Sequence, residues 1–264
     1  MWEWATATNL LAVLEGFGGG SIAGFASGLL GVSSGGILVP VVCAALGVNQ
    51  HISQGISLIA QVPPTSLSGV SQYRRRGQTV PIAWLALLSA GFLVGGMLGA
   101  VTAGGLSDRV LRWLFVAYLL VLAAISVLRG RRTPPSADDA APTRAHWTAL
   151  VAIGVAGGFS SGLLGIGGGL AVTALSTTLL RLGQHRAQAM SLMLAALPLT
   201  APSAGLYIAQ GWSPPWWSIA GIVLGLAVGA AGGAVVANRL PERLLRPGFI
   251  VLILGMAAYM AARP

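Results

Sequence analysis

The polar groups best placed for chemistry in this chain are almost all uncharged, and they fall in two matched places. One is a glycine-rich run that occurs twice, as GFASGLLGVSSGGILVP from Gly24 to Pro40 and as GFSSGLLGIGGGLAVTA from Gly158 to Ala174. In the second copy Gly165, Gly167, Gly168 and Gly169 lead into a short apolar segment; the matching positions in the first are Gly31, Ser33, Ser34 and Gly35. A glycine-rich turn that opens a helix leaves backbone N–H groups unpaired and pointing one way. With the positive end of the helix dipole, that makes an anion site that needs no charged side chain. The hydroxyls of Ser33 and Ser34 would add donors. The plainer alternative is that the glycines only let two helices touch. The other place lies downstream. Gln54, Ser57, Gln61, Thr65, Ser68 and Gln72 recur at three- and four-residue spacing and form one polar stripe on a helix. The second copy keeps Gln188 and Ser191 but has Ala195 and Leu199 opposite Gln61 and Thr65. In a membrane such a stripe faces protein or water. It either lines a path or joins helices by hydrogen bonds of about 0.6 kcal/mol a pair.

Other reactive residues are isolated. His51 and His185 occupy matched positions without a Cys, His or carboxylate cluster around them, so no metal site and no cofactor is expected. Glu15 is the only carboxylate inside an apolar run, which makes it a candidate for coupling to protons. Cys43 reads as a small packing residue. Residues 158–162 match GxSxG with Ser160 as nucleophile, but the elbow that motif describes needs a strand-to-helix turn. No catalytic residue is expected, and the chain reads as a non-enzyme.

These places are positioned by a duplicated unit. Residue n pairs with n+134 without a gap: His51 with His185, Gln54 with Gln188, Ser57 with Ser191, Pro64 with Pro198, Tyr73 with Tyr207 and Gly95 with Gly229. The 264 residues are 55% hydrophobic and only 8% charged, with mean hydropathy +0.80. Soluble domains carry about a quarter charged residues, so the lipid bilayer is the implied solvent. The net charge of +9 does not point to nucleic acid, because the basic residues, all arginine, cluster between apolar runs. There they act as topology signals. The N-terminus has no basic n-region, so the first apolar run is expected to stay in the protein.

The expected fold is an all-α polytopic membrane protein of two inverted-topology repeats. Each has about five hydrophobic segments, a to e and a′ to e′, with glycine-broken half-helices. The first repeat is residues 1–130, residues 131–146 are a polar cytoplasmic linker, and residues 147–264 are the second repeat. Segment b, about 36–48, is too short to cross a ~30 Å hydrocarbon core. Segments c and c′ are placed at about 52–73 and 187–209. Either two crossings or a re-entrant hairpin at a and b gives each half an odd number of crossings and inverts the halves. Placing Arg74–Arg76 inside then puts twelve of the fifteen arginines inside, against eight if both halves point the same way. The loop 211–217 lies outside in that arrangement, with Trp212, Trp216 and Trp217 in the interfacial belt. Inverted repeats with broken helices at matching places suggest a substrate site at the midplane.

The doubled G-[FL]-x-S-G-[LF]-x-G-[IV]-G-G-G motif, each copy followed by a QGISL or QAMSL segment, resembles the TauE/SafE sulfite exporter family. The resemblance covers nearly the whole chain. The first copy differs in Ser33 and Ser34, and the family's A-x-G-T-S-L segment is SQGISL and QAMSL here. The resemblance implies a multi-pass permease of the bacterial inner membrane for sulfite, organosulfonates and related small anions. The competing expectations are an intramembrane serine hydrolase using Ser160 and a non-transporting membrane subunit. A homodimer stays open.

Overall fold

The computed structural model describes residues 2–30, 34–64, 80–129, 144–180, 182, 184–237 and 242–262. Gly31, Ser33, Thr65, Ser68, Gln72, Tyr73, Arg74–Arg76 and linker residues 131–143 lie outside the described residues. Eleven helices are described: α1 (Trp2–Leu30), α2 (Gly35–Leu46), α3 (Gln50–Ala60), α4 (Ile82–Gly104), α5 (Asp108–Arg129), α6 (Arg144–Leu164), α7 (Gly169–Leu179), α8 (Gln184–Ala195), α9 (Ala201–Ala209), α10 (Trp216–Ala237) and α11 (Glu242–Ala262). The helices of the two halves start 134 residues apart at 35 and 169, 50 and 184, 82 and 216, and 108 and 242. Four segments are long and apolar enough to span a bilayer: Thr8–Leu29, Ile82–Gly104, Trp147–Leu164 and Trp216–Gly233. With 12 and 11 residues, α2 and α7 reach only ~16–18 Å.

The most extensive packing runs between the halves, α1 on α10 and α4 on α6. Glycines recur every fourth residue along both contacts. Gly16, Gly20, Gly24 and Gly28 of α1 rest on the backbone of residues 218, 222, 226 and 230, and α10 answers with Gly221, Gly225, Gly229 and Gly233. In the other pair Gly91, Gly95 and Gly99 face Gly154, Gly158 and Gly162. Numbers rise together on both sides, so each pair is parallel. A Cβ at any of these seam positions would strike backbone of the partner helix. Lipid supplies no hydrophobic drive between helices, so this close approach, with its dispersion and Cα–H···O contacts, carries the association. The outer faces of α4 and α10 expose Val94, Leu98, Val101, Leu224, Val228 and Val235, as lipid-facing helices do.

The polar segments lie between these pairs. His51 at the start of α3, Asp108 at the start of α5 and Gln210 after α9 meet at one end. Gly104 packs on Gln210, so α4 and its parallel partner α6 run toward this end. Trp212 packs on Gly55, so α10 starts there and runs away, with α1 beside it. At the opposite end Arg186 of α8 lies over the Trp84 ring, 5.3 Å from its centroid. After α6 the chain turns back, and Gly168 reaches Phe92, midway along α4. From there α7 descends until Leu180 and Leu182 join Trp84 and Leu88. Helix α8 then returns toward the middle.

One expectation is corrected. Segments c and c′ are not continuous helices. α3 ends at Ala60 and α8 at Ala195, the latter followed by a break and then α9. Pro63, Pro64 and Pro198 cause this, because a proline disfavours helical geometry in the residue before it and removes an amide donor.

The seams generate a stability prediction. Gly95→Leu should wedge α4 off α6 and abolish the monodisperse detergent-solubilised protein. Gly255→Leu, with open space around its Cα, should leave elution and thermal midpoint unchanged. Size-exclusion chromatography with thermal unfolding distinguishes the two outcomes.

Candidate substrate site

The turn after α6 is built by backbone conformation. Gly165, Gly167 and Gly168 take φ values of 71°, 71° and 63°, a region that glycine enters without steric cost. Gly168 is the N-cap of α7, and Val172 N–H donates to its carbonyl at 2.9 Å. The N–H groups before Val172 have no intrahelical partner by position. Gly165, Gly167, Gly168 and Gly169 are all buried.

The start of α2 is built differently. Ser34 holds φ −64° and ψ −23°, right-handed, and its side chain makes no capping bond. The first copy therefore lacks the left-handed geometry of Gly168 at the matching position, which its serine disfavours. The two starts nevertheless meet. A Cβ on Gly35 would collide with the backbone of Ile166 and lie 2.8 Å from the Gln61 amide nitrogen.

The paired serines of α3 and α8 both grip this one turn. Ser57 Oγ donates to the Gly165 carbonyl at 2.7 Å, and Ser191 Oγ donates to the Gly169 carbonyl at 2.8 Å. Gln61 Nε2 donates to the Ser57 carbonyl and hydroxyl, both at 2.9 Å, and to the Gly165 carbonyl at 3.2 Å. In a trans peptide the C=O and the following N–H point in opposite directions. Holding the carbonyls of Gly165 and Gly169 thus turns the amides of Ile166 and Leu170 away from the serines. Of the stripe that could line a path or join helices, Ser57 and Gln61 bond the backbone of this turn.

Gln54 completes the set. Its side-chain carbonyl accepts from Tyr207 Oη at 3.0 Å, while its Nε2 is buried with no partner. The hydroxyls of Ser161, Ser176 and Thr200 are also buried without partners. An unpaired buried donor costs about 1–3 kcal/mol, a cost that a ligand accepting from it can offset. Thr200 precedes α9 without capping it. Sequence reasoning missed Ser161, Thr200 and Tyr207. The break at Pro198 was the available signal for Thr200.

The remaining candidates lie elsewhere or have other partners. Glu15 is exposed on α1 beside the Gly16 contact, away from the turns. Gln188 is half-buried on α8. Ser160 Oγ donates to the Gly157 carbonyl at 2.9 Å. His51 donates its backbone N–H to Asp108 Oδ1 at 2.9 Å, and its ring meets the Gln210 side-chain oxygen and lies against the Tyr207 ring. Among the described residues no three His, Cys, Asp or Glu side chains are grouped to hold a metal ion.

The sequence that builds this turn also has relatives among known proteins. The model of the sulfite exporter TauE/SafE family matches residues 16–260. The chain belongs to the TauE/SafE family. Relatives span most of its length. A probable membrane transporter protein of Xylella fastidiosa strain 9a5c is 26% identical over 261 residues, covering 97% of each chain. Its equivalent in strain Temecula1 is 27% identical over 265 residues, again covering 97% of each. Probable membrane transporter protein YdhB of Bacillus subtilis is 26% identical over 224 residues, covering 84% of this chain and 89% of its own. The chain is thus a member of a family of membrane transporters, and the glycine turns and serine grips lie within the part that the TauE/SafE model matches.

The turn generates its own prediction. Gly168→Ala would hold a side chain at positive φ, at about 1–2 kcal/mol, and press it on Phe92 and the Gly157 carbonyl. The thermal midpoint should fall by roughly 5 °C or more. Ser34→Ala, at a right-handed residue with no capping bond, should stay within about 0.5 kcal/mol of wild type. Thermal unfolding in detergent measures both.

Proposed function

We propose that the chain exports small sulfur oxyanions, sulfite or organosulfonates, across the bacterial inner membrane by alternating access around the meeting point of α2 and α7. The observation that carries this reading is the Gly165–Gly169 turn. It sits halfway along a spanning helix, its carbonyls are held by Ser57 and Ser191, and its free amides head a half-helix. Helix N-termini and neutral donors favour an anion over a cation. An oxyanion has several acceptor oxygens and no donor of its own, which matches the unpaired N–H and O–H groups of Gln54, Ser161 and Thr200. That the anion contains sulfur is an inference from the family name.

We read the two halves as inverted repeats. In support, α1 leaves the end where His51, Asp108 and Gln210 gather, whereas its repeat counterpart α6 approaches that end. Counterpart helices of inverted repeats run in opposite directions. With Arg186 at the cytoplasmic end, the His51 end and the loop bearing Trp212, Trp216 and Trp217 are external, and residues 131–146 form a cytoplasmic linker. The membrane potential then supplies the direction. A monovalent anion leaving a cell gains about 2.3 kcal/mol per 100 mV, a gradient of roughly fifty-fold with no coupling ion.

The test is sulfite flux from proteoliposomes under an imposed potential. Efflux should rise with an inside-negative potential, and the Ser57→Ala/Ser191→Ala protein should lose at least nine-tenths of it while remaining folded. If folded wild-type protein moves none of sulfite, organosulfonates, thiosulfate or small carboxylates, the transport reading fails.

A further inference from the structure

We infer that Tyr207 is a positioning residue for anion selection, which it exerts by fixing which end of the Gln54 amide faces the ligand. The inference rests on the transport reading above and assigns a role to a residue that touches no substrate in it. A primary amide carries a donor end and an acceptor end of nearly equal size, and it serves an anion only when the NH2 faces it. Something must therefore hold the carbonyl. Tyr207 is fully buried, and its hydroxyl lies 3.0 Å from two oxygens, Gln54 Oε1 and the Gly162 carbonyl. Gly162 belongs to the last turn of α6, whose carbonyls lack intrahelical amide partners. The phenol has one proton, and both neighbours, like the Leu163 carbonyl at 3.4 Å, are acceptors, so these oxygens share the same O–H.

The consequence for Gln54 is direct. With Oε1 toward Tyr207, Nε2 is turned away from it, fully buried and without a partner. The Cα and Cβ of the same residue lie against Gly165, at 2.8 and 3.0 Å from where a Cβ would stand. The unpaired donor therefore belongs to the residue that packs on the anion turn. Tyr207 is itself held in place. Its ring centroid lies 4.8 Å from that of His51, and its edge meets Gly55, where a Cβ would be 3.3 Å from Tyr207 Cδ1. A group on α9 thus sets the orientation of a side chain on α3, 153 residues away in sequence.

Tyr207→Phe removes the O–H and keeps the ring packing. Released from its tether, the Gln54 amide can rotate its carbonyl toward the anion. In the proteoliposome assay, with sulfite or whichever of the four anions wild type carries, KM should rise about tenfold with the maximal rate changed less than twofold. A purely structural role would lower the maximal rate or the amount of folded protein instead. Gln54→Met, which keeps the length and removes both amide ends, should raise KM by a similar factor. The double variant should then be no worse than Gln54→Met alone, since Tyr207 acts only through that amide. An unchanged KM in folded Tyr207→Phe overturns the inference while leaving the transport reading intact, as do additive effects in the double variant. If Tyr207→Phe does not fold, an unchanged KM in Gln54→Met overturns it and a tenfold rise supports it. Absence of wild-type flux for all four anions overturns this inference together with the proposed function.

Discussion

Direct contact between helix backbones, made twice, is the constraint on which the rest of this fold depends. Between α1 and α10, and again between α4 and α6, glycine at every fourth position lets the partner's carbonyls come within contact distance of Cα. In water, burial of large side chains would drive such pairing. In lipid the surroundings are as apolar as leucine, and only closeness of approach distinguishes the paired state from the separated one. The short helices α2, α3, α7 and α8 lie between these two tightly packed pairs.

Side-chain bonds from α3 and α8 converge on one loop. Ser57, Gln61 and Ser191 all donate to carbonyls of the Gly165–Gly169 turn. Irregular backbone at membrane depth persists only where protein or a water-filled cavity surrounds it, and these side chains satisfy part of that need. Because they hold the carbonyls of Gly165 and Gly169, the amides of Ile166 and Leu170 point away from these side chains. Within the α3 stripe, Ser57 and Gln61 thus join α3 to the turn.

Much of this was legible in the sequence, and the limits have physical causes. The 134-residue register carried directly into the helix starts, because duplicated sequence imposes duplicated local preference. The shortness of α2 and α7 followed from apolar length alone. Pro64 and Pro198 mark the breaks inside c and c′ in the sequence, but the polar stripe of c keeps helical spacing past Pro64, so periodicity and chain stiffness gave opposing signals there. The difference between Ser34 and Gly168 was visible as a change of residue, but its effect on φ required coordinates. Tyr207 was noticed only as a repeat partner of Tyr73. Its bonds join residues from α3 and α6 that no spacing rule relates.

The parallel, cross-half pairing also bears on how the chain is made. Gly16 rests on Ser218 and Gly91 on Val151, so α4 meets its partner about 60 residues after it is synthesised, whereas α1 waits for about 200. At roughly 5–20 residues per second that is an interval of some 10–40 s during which the four seam glycines of the first helix lack the helix they finally close upon. A membrane helix with its seam open is a template for the wrong neighbour. The first span is therefore the segment most dependent on the insertion machinery to keep it apart until the tenth helix arrives.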